Sequence, residues 1–235
     1  MKLRNLAGTA LLGVGALAAL NTGLRYEGEL EAPLDGDDGV FRWRGMDVAF
    51  TEAGDPDDPD LALLHGINAA GSSGEWRAVF DDLAADYHVI APDFPGYGRS
   101  DRPPLRYSAA LYEDFVRDFL ADLHEPAVVA SSLSAAYAAS AATGEGSGDD
   151  GVGLRGFVGV CPTSTAGPSP PKSWLRELLR SPLVGDALFN VIASKPSIRY
   201  FNADHGYDDP TNPSEEWTDY EWRTTHVENA RFAPA

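Results

Sequence analysis

One serine sits in a run of small residues, Ala130-Ser131-Ser132-Leu133-Ser134, directly after the short apolar stretch Ala127 to Ala130. Where a chain turns abruptly from a strand into a helix, the residue at the turn is backbone-strained, and only small neighbours let the two elements approach. Ala130 and Ser134 meet that demand around Ser132. Ser131 has the bulkier Val129 and Leu133 beside it, whereas Ser134, between Ser132 and Ala136, also passes on size. Ser132 is preferred because it lies where a turn would follow the strand. A serine hydroxyl becomes a nucleophile only when a base takes its proton and fixed N–H donors receive the oxyanion. The chain has five histidines, His65, His88, His124, His205 and His226. Of these, His226 is expected to be a solvated or structural residue of a last helix rather than a relocated base.

Other chemistries fit less well. Asp204, His205, Asp208 and Asp209 come nearest to a metal cluster but lack ligand spacing, so no metal is expected. Gly144, Gly146 and Gly148 imitate a phosphate-binding loop, yet Glu145, Asp149 and Asp150 share it without a cation. The run Asp35 to Gly39 lacks the closing glutamate of a calcium loop. The formal charge of −18, with 36 acidic against 18 basic residues, excludes a nucleic-acid partner, which needs a clustered positive field. Only three of those basic residues are Lys, and an acidic, Arg-over-Lys surface suits a protein from a salt-loving microbe. The lone Cys161 cannot form an intrachain disulfide, and its place at the end of an apolar run predicts a buried, inert thiol.

The elements that must hold Ser132 alternate along the chain. Phe41 to Trp43 and Val48 to Thr51 flank Arg44-Gly45 as a hairpin. Leu61 to Leu64, His88 to Ala91, Ala127 to Ala130 and Leu154 to Val160 are apolar runs of strand length. Helical spacing is expected over Trp76 to Ala84, over Leu111 to Leu123 with Leu111, Phe115, Phe119 and Leu123 on one face, and over Leu133 to Ala142. Strand–helix alternation of this kind predicts a mostly parallel α/β sheet. Beyond Thr163 the pattern is helical, at Trp174 to Arg180, Leu183 to Ala193 and Glu216 to Asn229, with no further strand.

Strand ends in such a sheet face the ligand crevice, and here they carry His65-Gly66-Ile67-Asn68, Asp93-Phe94-Pro95-Gly96-Tyr97-Gly98-Arg99-Ser100-Asp101 and the Ser132 turn. In this order and spacing the chain resembles the α/β-hydrolase family over about Phe41 to Pro162, with a helical tail similar to the start of that family's cap. The resemblance implies Ser132 as nucleophile and the backbone N–H groups of Ile67 and Leu133 as the oxyanion hole, supported by His65, Gly66, Ala130 and Ser134. It implies that His65 is not the base, that Asp93, Arg99 and Asp101 fix their loop, and that no cofactor is used. A serine at the elbow points away from dehalogenase or epoxide-hydrolase chemistry, for which the family uses an aspartate nucleophile, and toward acyl transfer to water on an apolar or ester-like small molecule. The substrate-binding residues stay unassigned. The family's acid and histidine follow later strands, and no acid or base is assignable among these 235 residues. The fold expected is therefore an α/β-hydrolase with a partial cap and its last strands missing. Two explanations stand: a truncated hydrolase, impaired as it is, or a complete non-catalytic, membrane-tethered binding or accessory protein on a degenerate form of the same fold.

Met1-Lys2-Leu3-Arg4 precedes an apolar stretch from Leu6 to Leu20, extended to Leu24. Basic residues before an apolar run predict an export signal or membrane anchor. The expected organisation is a signal or anchor over 1–24, a linker over 25–40, the hydrolase core over 41–162 and a helical cap segment over 163–235, in a protein that is membrane-anchored or exported through residues 6–24.

Overall fold

The computed structural model describes residues 3–144, 150–164, 173–206 and 213–235. Helix α1 (Leu3–Leu24) precedes β1 (Asp37–Trp43), β2 (Met46–Ala53) and β3 (Asp60–Leu64). A 3₁₀ turn at Ser73–Trp76 leads through α2 (Phe80–Leu83) to β4 (His88–Pro92) and α3 (Ala109–Ala121). Then come β5 (Ala127–Ser131), α4 (Leu133–Thr143) and β6 (Gly156–Val160). Helices α5 (Ser173–Arg180), α6 (Val184–Ile192), α7 (Lys195–Phe201) and α8 (Glu215–His226) follow.

The strands make one sheet in the order β1-β2-β4-β3-β5-β6. β1, β2 and β4 pair antiparallel, and β4, β3, β5 and β6 run parallel. The hairpin turns through Arg44 and Gly45, both at positive φ, the backbone that matches strand twist in a two-residue loop. In β3 every apolar residue is buried because helices cover both faces of a parallel sheet. Leu61 and Leu63 face Trp76, Phe80 and Val89, whereas Ala62 and Leu64 face the aromatic cluster of Phe94, Phe115 and Phe119.

Several expectations change in detail. Trp76 to Ala84 is not one helix: Val79 N–H bonds Trp76 O at 2.9 Å, a tight i+3 turn, and helix resumes only at Phe80, which anchors it by full burial. β1 begins inside the stretch expected as linker, and buried Leu34 is packed against the core. α7 was not anticipated, although Pro196 lies in its first turn, where a missing N–H costs nothing. Cys161 is exposed rather than buried, because β6, which it follows, stands at one end of the strand order. On that edge Phe157, Val158 and Val160 are exposed, so both faces of β6 are open. Among the described residues, no helix is long and apolar enough to cross a membrane, and no strand follows β6. The Gly144 to Gly148 loop expected after α4 lies mostly outside the described residues.

Candidate active site

Ser132 links β5 to α4 with φ 52° and ψ −122°. A non-glycine residue held at positive φ costs about 1–3 kcal/mol and persists only where its surroundings fix it. Here three backbone bonds do so. Ser132 N–H donates to Val160 O at 2.9 Å, and Ser132 O accepts from Thr163 N–H at 3.1 Å and from Ala135 N–H at 3.3 Å. Ala130 and Ser134 are fully buried beneath the turn, as the size argument requires. Ser134 Oγ–H donates to His65 O at 2.5 Å, which ties the elbow to the loop after β3 and removes Ser134 as a competing nucleophile. Leu133 N–H opens the first turn of α4, where a helix amide has no intrahelical acceptor.

The His65-Gly66-Ile67 turn lies against the elbow. A Cβ on Gly66 would stand 3.4 Å from Ser131 Oγ and 3.5 Å from Ser132 Cβ, which places the two turns within van der Waals reach of each other. His65 is fully buried, accepts from Phe94 N–H at Nε2 (3.0 Å), and therefore carries its proton on Nδ1, which donates to Gly66 O at 2.9 Å. Both ring nitrogens are engaged in shaping the loop. The loop after β4 is held in the same way. Buried Asp93 accepts from Ser73 N–H at 2.6 Å and from Arg99 N–H at 3.0 Å, and Asp101 accepts from Asp47 N–H at 2.8 Å.

Two neighbours of the elbow escaped the sequence reading. Glu75, on the 3₁₀ turn, accepts from Gly66 N–H at 2.6 Å, and the same Cβ on Gly66 would lie 3.4 Å from its Oε2. Its carboxylate thus braces the turn that carries Ile67. Thr163 Oγ1 stands 3.4 Å from Ser132 Oγ. No local motif announces either contact, since each depends on a turn folding back across the crevice.

The remaining histidines lie elsewhere. His88 sits at the start of β4, with Nδ1 2.8 Å from Asp60 and Nε2 3.3 Å from Glu52, at the opposite end of the strands from Ser132. His226 is buried, stacked on Trp222 at 4.3 Å, with Nδ1 2.8 Å from Trp222 O. Burial pushes its pKa down, so the ring is a neutral structural group. It lines a cavity of about 210 Å³ beneath α1, whose walls include none of Ser132, Ile67 and Leu133. Among the described residues, Ser132 Oγ has Thr163 as its side-chain partner, and no three potential metal ligands converge. Asp208 and Asp209, half of the Asp204, His205, Asp208 and Asp209 group, lie outside the described residues.

A largely apolar cavity of about 260 Å³ adjoins the Ile67 loop, walled by Asn68, Tyr97, Leu179, Phe189 and Ile192. Helices α5 and α6 therefore roof the crevice at the C-terminal ends of the strands, where ligands bind in open α/β sheets.

This architecture agrees with the comparisons. The pattern of the Alpha/beta hydrolase family matches residues 61–235, and the chain belongs to that family. An uncharacterized protein of Mycobacterium tuberculosis is 38% identical over 96 residues, 40% of this chain and 27% of that protein. Epoxide hydrolase A of the same organism is 45% identical over 60 residues, 25% of this chain and 18% of that enzyme. The aligned stretches thus span less than a third of these relatives' length. A serine hydrolase involved in carbazole degradation superposes with a TM-score of 0.62 at 17% identity, covering 84% of this chain and 66% of that one, a likeness of fold.

Proposed function

We propose that this hydrolase acts on an ester-like carbonyl substrate through an acyl-Ser132 intermediate. The observation that carries the reading is the Ser132 backbone itself, strained at φ 52° on a strand-to-helix turn beside an amide with no helical partner. Ser132 Oγ bonds to the carbonyl carbon, its proton passes to a base, the alcohol departs with a proton, and water then cleaves the acyl-serine. The Leu133 and Ile67 N–H groups receive the oxyanion, each such donor being worth about 3–4 kcal/mol. The serine hydrolase among the structural neighbours supports a serine-based reaction, and the relative named as an epoxide hydrolase sets the competing one.

A second reading, a non-catalytic binding protein on this fold, draws on one observation. Among the described residues neither an imidazole nor a carboxylate hydrogen-bonds Ser132 Oγ. Acylation by an activated ester is then slow, and deacylation slower. Incubation with p-nitrophenyl acetate followed by peptide mass spectrometry tests both readings. A persistent acetyl group on Ser132, absent from Ser132→Ala, with little turnover is the expected result. No adduct at Ser132 favours the binding protein, and rapid turnover lost in Ser132→Ala reveals a base within reach.

A further inference from the structure

Glu75 brings a carboxylate to the C-terminal ends of the strands, where an α/β sheet receives its ligands. Its Oε2 accepts from Gly66 N–H at 2.6 Å. The position a Cβ would take on Gly66 lies 3.4 Å from that oxygen and 3.5 Å from Ser132 Cβ, so carboxylate and nucleophile stand within about 7 Å of each other across one glycine. Glu75 is exposed, and a molecule arriving at Ser132 meets its field.

That charge lacks a counterion. Among the described residues no basic side chain pairs with Glu75, and its contact is the Gly66 amide. The guanidinium groups nearby are engaged elsewhere. Arg77, two residues on, donates to Gly74 O at 3.0 Å and lies over Trp217 at 3.8 Å. Arg99 pairs with Asp93 and Asp38, Arg102 lies in the field of Asp93, and Arg231 pairs with Asp186. The elbow therefore keeps an unbalanced negative charge, in a chain whose net charge is −18. Such a field enriches cations and repels anions. A cationic group a few bonds from the scissile carbonyl falls within the Debye length of about 8–10 Å at moderate salt. The oxyanion feels the same field in every ester, so that part of the effect cancels when esters are compared.

We infer that Glu75 is a specificity-determining residue of this crevice and selects acyl esters that carry an ammonium or similar cationic group a few bonds from the carbonyl. The inference rests on the acyl-Ser132 reading and names a substrate class for it. The apolar cavity beside Ile67 takes the uncharged part of the same molecule.

The test compares the p-nitrophenyl esters of trimethylammoniobutanoate and of its uncharged tert-butyl isostere on the full chain. Ser132 Oγ forms the new ester bond, p-nitrophenolate leaves with the electron pair, and the serine proton passes to solvent. Peptide mass spectrometry follows the adduct at Ser132. The wild type is acylated about tenfold faster by the cationic ester, and about 0.5 M sodium chloride lowers that ratio severalfold. Glu75→Gln, which keeps an acceptor for Gly66 N–H, brings the ratio close to one, whereas Glu75→Asp retains a preference. Each ratio is internal to one variant, so a general loss from a disturbed turn cancels. Asp57→Asn, on the exposed turn before β3 at the far end of the strands, leaves the ratio unchanged. Equal rates for the two esters in the wild type, a preference that survives Glu75→Gln, or an equal fall in Asp57→Asn overturns the inference alone. Absence of any Ser132 adduct from either ester overturns the acyl-Ser132 reading and this inference with it.

Discussion

Helices α3 and α8 are alike in length and in how they begin. Ser108 Oγ accepts from Leu111 N–H at 3.2 Å, and Ser214 Oγ accepts from Trp217 N–H at 3.0 Å. They differ in what they bury. α3 turns Tyr112, Phe115, Val116, Phe119 and Leu120 into the sheet, an apolar face whose stability is indifferent to pH. α8 buries Thr218, Tyr220, Glu221, Thr224, Thr225 and His226. Such a face holds only while each polar group keeps a partner or a neutral state. Asn202 Nδ2 donates to Glu221 Oε2 at 2.6 Å, Thr224 and Thr225 bond back to Glu221 O, and Trp217 lies over the Arg77 guanidinium at 3.8 Å. One helix is fixed by volume and the other by bookkeeping of protons and hydrogen bonds.

The sharpest test of that contrast is truncation in α3. Phe115 is fully buried among Phe41, Trp43, Phe94 and Phe119. Phe115→Ala is expected to cost about 3–5 kcal/mol in urea unfolding, by a similar amount at pH 5 and pH 8.

Next in size is the titration of α8. Burial raises the Glu221 carboxyl from its ordinary 4.5 to about 7. Between those values the folded chain holds a proton that the unfolded chain has released. Its contribution is full below the unfolded value and is lost as the pH rises toward 7, a decline of about 3 kcal/mol. Glu221→Gln should remove most of this slope and be the more stable protein at pH 8. A slope identical to the wild type's would show that Glu221 ionises freely within α8.

The smallest effect concerns the feature the two helices share. Ser108→Ala and Ser214→Ala should each cost about 1 kcal/mol, measured by thermal unfolding. If only one of them matters, the helices differ at their caps as well as in their faces.

That contrast also explains what the sequence could reveal. The face of α3 was legible because Phe115 and Phe119 repeat at helical spacing, and β3, β4 and β5 because short apolar runs alternate with helices. The Ser132 turn was legible because small residues flank it. The inward face of α8 was not, since Thr218, Glu221 and Thr225 look like a solvated surface until Asn202 and the loops after β3 and β4 are folded against them. Cys161 was misread for the complementary reason: an apolar run predicts burial only if something covers it, and β6 stands at an uncovered edge. Glu75 stayed hidden because its meaning lies in the Gly66 amide, reached only when the chain doubles back.

That uncovered edge gives the molecule a natural reporter position. Cys161 is the chain's sole thiol, and it is exposed. It lies between Val160, whose carbonyl receives Ser132 N–H, and Thr163, whose N–H reaches Ser132 O. A fluorophore or spin label attached through sulfur therefore sits at one defined place, on the short segment whose two ends clasp the elbow, where a spectroscopic signal follows the elbow's surroundings.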